Sequence, residues 1–342
     1  MRKIVILFIV IAAILTSQCS RNVGDTSLRN ALDESSLKIN KATAVISDTR
    51  GFQLMTASDQ TKSGEIYSDS IELDMIAGIY DFKPETYMCH RDMRPRWIFE
   101  KTGESEMLVV NIPQKMIFHP RYLYLNNPEE VAEENDFTIT ASEYHNYFSY
   151  FRRYDYRLMA GFTIGTEDIG TLEVTAAGSN FTDGNYASEY NFTDEYSVFV
   201  SYAKGDTSIS SFSLKEGEEI LIGEESVFIW KDFRKSERKY TLTVGDVDIV
   251  RSTGIDSIQV FLNGVLQSTA AVKITDEDET EGSVCRHRDI LLTFDDGTSV
   301  KLSELIGPAL ETLGTLIVPM REMNCARRVA DYIAMSVYYR QL

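Results

Sequence analysis

The sequence predicts a mainly β protein: an antiparallel sheet, shaped as a sandwich or half-barrel, followed by a smaller α+β part that ends in an amphipathic helix. Three observations carry this expectation. From about residue 48 apolar side chains recur at every second position, the period of a strand with one face on a core and one in water. Short Asn-Gly and Asp-Gly pairs separate such runs, as tight hairpins require. Only near the C-terminus does the spacing change to that of a helix.

The clearest strand is Tyr154–Ile164. Its even positions are Tyr154, Tyr156, Leu158, Ala160, Phe162 and Ile164, while Asp155, Arg157 and Thr163 are among the odd ones. The same alternation runs through Phe137-Ile139-Ala141, Leu172-Val174-Ala176, Tyr196-Val198-Val200-Tyr202 and Tyr240-Leu242-Val244. Asn263-Gly264 and Asp296-Gly297 read as hairpin turns, with Thr102-Gly103 and Glu216-Gly217 as weaker examples. No strand–helix–strand alternation is visible, which argues against a doubly wound parallel sheet. At the end of the chain Ser303 could cap a helix through Leu313, although Gly307-Pro308 would break or restart it. Asn324 to Gln341 follows as a helix whose stripe Cys325, Val329, Ile333 and Val337 would pack on the sheet.

The N-terminus reads as an export signal over residues 1–18. Arg2 and Lys3 give the positive start, and Ile4 to Leu15 form an apolar run too short to span a bilayer. Cys19 stands directly behind this leader, and Leu15-Thr16-Ser17-Gln18-Cys19 resembles the lipobox at which bacterial lipoproteins are acylated and cleaved. Acyl chains on Cys19 would provide a membrane anchor, since each buried CH₂ contributes about 0.8 kcal/mol. The polar stretch 19–47 reads as a lipidated tether, with one short amphipathic segment near Leu28 to Leu37. The antiparallel domain is expected over 48–235. The α+β domain would cover 236–342, with the boundary in the basic run Lys231–Lys239.

The formal net charge is −18, and removing the two leader cations would make it −20. Such a surface repels the phosphate backbone, so no nucleic-acid partner is expected. It also disfavours simple adsorption to anionic headgroups, leaving the lipid on Cys19 as the contact with the membrane.

Few residues point to chemistry. With Cys19 acylated, Cys89, Cys285 and Cys325 remain. Cys325 fits a buried thiol of the C-terminal stripe, and Cys89 with Cys285 is the candidate disulfide, although no spacing rule supports it. Cys89-His90 and Cys285-Arg286-His287 lack the pair spacing of a zinc site, and Asp246-Val247-Asp248 and Asp295-Asp296-Gly297 lack that of a calcium loop. No metal, cofactor or catalytic residue is therefore assigned, and an enzyme is the less favoured reading. The densest unusual feature is aromatic: Tyr144, Tyr147, Phe148, Tyr150, Phe151, Tyr154 and Tyr156 fall within thirteen residues. A second cluster is Tyr186, Tyr190, Phe192, Tyr196, Phe199 and Tyr202. Aromatics of this density either fill a strand core or form a binding platform. The platform candidates are Tyr144, Tyr147, Phe148, Tyr150 and Phe151.

Leader, Cys19, polar stretch and acidic, Tyr-rich β body together resemble the cell-envelope lipoproteins of Bacteroides-type bacteria. That resemblance implies an outer-membrane address, periplasmic or surface, and carries over no site residues. The favoured function is non-catalytic binding of a protein or glycan partner by a membrane-tethered protein. Two alternatives are a lipid or lipoprotein carrier, whose apolar cavity Met107-Leu108-Val109-Val110 and Met116-Ile117-Phe118 would line, and a glycan hydrolase.

Overall fold

A computed structural model describes residues 25–52, 70–83, 99–114, 134–148, 153–179, 183–232, 235–255, 257–276, 288–294, 297–321 and 325–341. The chain is mainly β, as expected, and one 15-stranded sheet dominates it. Its first part is irregular in order. Helix α1 (Asp25–Asp48) leads to β1 (Ser70–Glu72), the single turn α2 (Leu73–Ile76), β2 (Gly78–Phe82), β3 (Phe99–Gly103) and β4 (Leu108–Ile112). From there the sheet is a meander. It comprises β5 (Phe137–Phe148), β6 (Arg153–Ile164), β7 (Glu167–Ser179), β8 (Asp183–Asn191), β9 (Tyr196–Lys204), β10 (Thr207–Glu216) and β11 (Glu219–Asp232). Then come β12 (Lys235–Val244), β13 (Val247–Ser252), β14 (Gln259–Leu262) and β15 (Val265–Leu266). Each strand from β4 onward pairs antiparallel with the next. The one parallel pair is β2 with β4, so the sheet is mixed, and it is not closed into a barrel. A second sheet of β16 (Ala271–Asp276), β17 (Arg288–Thr293) and β18 (Ser299–Lys301) precedes helices α3 (Leu302–Arg321) and α4 (Cys325–Gln341).

Register explains why so long a meander holds together. The row Ala141, Ala160, Leu172, Tyr190, Val198, Leu214, Ile222, Val244, Val247 and Leu262 runs straight across ten strands by direct pairing. Every member is buried. Because the side-chain period is two, a one-residue slip at any hairpin would turn this row to solvent, so each pairing fixes its neighbours. Turn chemistry assists. At Asn263-Gly264 both residues have positive φ (49° and 75°), as the tight turn between β14 and β15 requires.

The expected tether is corrected from Asp25 onward. It is a helix of 24 residues whose side chains Leu28, Leu32, Ser35, Ile39, Ala42 and Ile46 are buried at alternating spacings of four and three. The helix crosses the strands at the end where the β6–β7, β8–β9, β10–β11 and β12–β13 turns lie. Ser35 sits against Gly245 and Lys38 reaches Glu219 at 2.9 Å. Just beyond the helix Gly51 packs on Ile169 and Tyr190. From Ser35 to Gly51 a helix advances about 24 Å. The five strand spacings from the β12–β13 turn to β8 also cover about 24 Å. The helix is therefore a crossbar over one end of the sheet.

Helix α3 continues through Gly307 and Pro308 rather than breaking there. Its buried stripe Leu302, Ile306, Ala309 and Leu313 lies on both sides of the pair. Asp289 serves its N-terminus, accepting hydrogen bonds from the Ser303 backbone N–H (3.2 Å) and hydroxyl (2.5 Å). Residues 235 and 236 do not separate two sheets either. The run Lys231–Lys239 is the β11–β12 hairpin, paired from Asp232↔Lys235 to Ile222↔Val244. Its charges reflect a strand end that projects past the core, with Glu237, Arg238 and Lys239 all exposed.

Candidate binding face

Alternation gives the sheet two faces, and the helices lie against one of them. On that face, the row one step from the buried row reads Tyr144, Leu158, Val174, Ser188, Val200, Phe212, Glu224, Leu242, Ile249 and Val260. The next reads Asn146, Tyr156, Ala176, Tyr186, Tyr202, Ser210, Ser226, Tyr240 and Arg251. This third row changes character along its length. Tyr156 and Ala176 are buried, Tyr186 is half-buried, and Tyr202 and Tyr240 are 44% and 36% exposed.

The covered end of the row is closed by α4. Val329 and Ile333, two of the expected stripe, are buried, and Val337 is partly so. Tyr144 donates its hydroxyl to Asp331 at 2.8 Å and accepts from the Asn146 amide at 3.2 Å. Arg327 lies with its guanidinium carbon 4.5 Å from the centre of the Tyr156 ring and its Nε 3.5 Å from Asp331. The Tyr156 hydroxyl sits beside the same carboxylate without a well-directed hydrogen bond. Burial pushes the Asp331 carboxyl up, against the opposing pull of Arg327 and Tyr144. The Asp331 and Arg327 side chains nevertheless keep 29% and 35% of their surface open. They form a crowded but partly solvated pair rather than a sealed one.

The open end is aromatic. Beyond Ser226 on β11 come Phe228 and then Trp230, which is 63% exposed. Their rings meet edge to face with centroids 4.4 Å apart. Arg238, paired with Phe228 across the hairpin, lays its guanidinium 5.0 Å from the Phe228 ring centre. On the other side Tyr202 and Lys204 extend β9. Between these walls Ser208, Ser210 and Ser226 form a low floor, since they are the same-face residues of β10 and β11. Tyr202 and Tyr240 stand three strand spacings apart, about 14 Å. Glu224 and Tyr240 mark the inner limit: burial, helped by the Glu224 carboxylate, pushes the Tyr240 hydroxyl up to about 12. Toward β6 the same level is covered by Tyr154, whose ring lies over Gly178 and Gly184 so closely that a Cβ on either would collide with it.

The five platform candidates do not assemble as expected. Tyr144 is 2% exposed and belongs to the core. Tyr147, three positions on, points to the opposite face of β5 and is half-buried opposite Ser70 and Asp155. Phe148 pairs with Tyr154 at the end of β5, while Tyr150 and Phe151 lie outside the described residues, as do Cys19, Cys89 and Cys285. Of the second cluster, Tyr190, Phe192 and Tyr196 are core and Tyr202 is exposed. Phe228, Trp230 and Arg238 are not singled out in the sequence, and Tyr240 is read there only as a member of an alternating strand. The available signal was the pair of aromatic and cationic side chains at alternate positions on both arms of one hairpin. Leu108 and Val110, expected to line a carrier cavity, are packed in the core; Met116 to Phe118 lie outside the described residues.

Among the described residues no helix is long and apolar enough to cross a membrane, and no three His, Cys, Asp or Glu converge as a metal would require. No family model, curated protein or solved structure matches this chain.

Proposed function

We propose that this chain is a non-catalytic cell-envelope lipoprotein, held to the outer membrane through Cys19, that binds a protein or glycan partner on the open end of its sheet. One observation carries the reading: Tyr202, Phe228, Trp230 and Tyr240 gather on one face, and three of the four are substantially exposed. Large aromatics in that state leave apolar area in water that a partner would cover, and rigid Tyr and Trp side chains supply contact at little entropic cost. Anchoring at Cys19 suits a binder, because confinement raises its effective concentration against neighbours in the same envelope.

The test uses the two tryptophans of the chain, Trp97 and Trp230. A Trp97→Phe variant leaves Trp230 as the sole indole, so its fluorescence reports directly on the face. Titration with envelope glycans and envelope protein fractions is expected to shift that emission, with Trp230→Ala or Tyr240→Ala weakening binding by at least tenfold. Partners that bind without moving Trp230 emission, and equally to both alanine variants, would place the binding surface elsewhere.

A further inference from the structure

Charge along the strands is distributed unevenly. At the end crossed by α1 the turns carry Glu167 and Asp168, Asp194 and Glu195, Glu216, Glu218 and Glu219, and Asp246. At the opposite end, on the face bearing the aromatics, stand Lys204, Arg238 and Arg251, all exposed. On a chain of net charge −18, the aromatic face of the described strands thus bears its cations at the aromatic end. The acids at this end include Asp206, whose backbone carbonyl accepts from the Trp230 backbone N–H at 3.2 Å, and, at positions of the opposite face, Asp183 and Glu237; Glu224 marks the inner limit beside Tyr240.

Resting on the binding function proposed above, we infer that the open face takes an acidic polysaccharide, a sugar chain bearing carboxylate groups. Three features select this occupant. The first is charge complementarity: on the aromatic face of the described strands the exposed cations Lys204, Arg238 and Arg251 stand at this end, so an anionic chain is drawn to the aromatics. The second is the Arg238 geometry. Its guanidinium lies 5.0 Å from the Phe228 ring centre on an exposed strand end, and a guanidinium is the side chain that grips a carboxylate through two parallel bonds. The third is the floor. Ser208, Ser210 and Ser226 place hydroxyls between the walls formed by Tyr202 and Tyr240. Sugar rings offer both C–H faces for the aromatics and hydroxyls for the serines. A lipid surface would use the aromatics and cations but leave the recessed hydroxyls without a role.

The experiment uses the full chain, purified in detergent and carrying Trp97→Phe, with Trp230 emission as readout. The probes are polygalacturonate, dextran of matched length, polyglutamate and micelles doped with an anionic phospholipid. Polygalacturonate is expected to bind, at least tenfold more tightly than dextran or polyglutamate, and to weaken severalfold as salt rises through the range where the Debye length falls below about 10 Å. Arg238→Gln and Arg251→Gln, at exposed positions, are each expected to reduce that affinity severalfold and to lower dextran binding by less; an equal loss for both sugars overturns the role of charge. Equal binding of dextran overturns the acidic-glycan inference and leaves the glycan reading standing. Equal binding of polyglutamate shows that charge alone is read and overturns the sugar. Response to the anionic micelles with none to polygalacturonate makes the face a membrane-contact surface. If no probe moves Trp230 while a protein partner does, the inference fails and the binding function survives; silence to every partner defeats both.

Discussion

Tyrosine is the residue on which this fold leans most. Burial raises the hydroxyl pKa of Tyr80, Tyr144, Tyr156, Tyr190, Tyr196 and Tyr240, the last to about 12. In the unfolded chain a tyrosine ionises near pH 10. A folded pKa above that value means the native state holds protons that the unfolded state has released, so stability is fully present below pH 10 and falls as pH rises toward the folded values. Thermal melts are expected to be flat from about pH 7 to 9 and to drop steeply between about pH 10 and 12. Melting that stays flat to about pH 12 would contradict the burial assigned to these hydroxyls. Asp331 makes a second residue-scale prediction. Asp331→Ala removes the acceptor of the Tyr144 hydroxyl and the neighbour of Arg327, so about 1–3 kcal/mol is expected to be lost in denaturant melts. Asp331→Asn keeps an acceptor for Tyr144 and is expected to cost less. Equal costs for the two would mean that α4 is held by its apolar stripe alone.

At the scale of elements the first helix is the main departure from what the sequence conveyed. Its stripe has the spacing of an amphipathic helix, but Ser35 occupies one position and Ala42 another, so the apolar signal is diluted in a stretch rich in Ser, Asn and Asp. Ser35 is small for a reason that only tertiary structure shows: it abuts Gly245, where φ is +55°. The meander was far more legible, because hairpins are local and their turns carry Gly or Asn. β6, for instance, begins at Arg153 and ends at Ile164, one residue from the alternating run read in the sequence. The parallel pairing of β2 with β4 was not legible, since nothing in either short segment names its partner. The binding face was half legible: aromatic clusters were visible, but core and surface members differ only in how far along the strand the helices reach. The helix also makes a prediction. A tether could be removed without harm, whereas deleting residues 25–48 would take Leu28, Leu32, Ile39, Ala42 and Ile46 out of the core and bare the apolar surfaces of α3 and of β11 to β13 that the helix packs against. The truncated chain is expected to lose its cooperative transition and bind hydrophobic dyes. Leu32→Ala and Ile39→Ala in the full chain are expected to cost about 2–4 kcal/mol each. A truncated protein that melts cooperatively near the wild-type temperature would restore the tether reading.

The described part of the main sheet is polarised along its strands: α1 and acidic turns at one end, and on the aromatic face exposed cations and aromatics at the other. Where the anchor attaches then matters. Cys19 precedes Asp25 by six residues, which span at most about 20 Å fully extended. The start of α1 is fixed to the body, because Arg29 donates to the Thr298 hydroxyl at 3.1 Å and lies 5.7 Å from the Phe294 ring centre. Acyl chains on Cys19 would therefore hold the molecule by its α1 side. The aromatic end lies across the sheet, at the other ends of the strands. Anionic headgroups repel the acidic α1 end and attract the cationic face, so it is the short link to Cys19, and not electrostatics, that would keep the cationic face turned outward. Two consequences are measurable in the native host. Cys19→Ala is expected to shift the protein from the membrane pellet to the soluble fraction while its melting temperature stays within about 1 °C of wild type, since acyl chains would insert into the lipid and not into the protein. Inserting a flexible segment of about 20 residues after Ser20 would let the body turn over, because its root-mean-square reach is about 25 Å. Trp230 is then expected to become accessible to a quencher attached to lipid headgroups, which leaves it untouched in the wild type. Retention of the Cys19→Ala protein in the pellet would sink acylation as the anchor. Equal quenching of Trp230 with and without the insert would mean that the aromatic end already rests on the membrane.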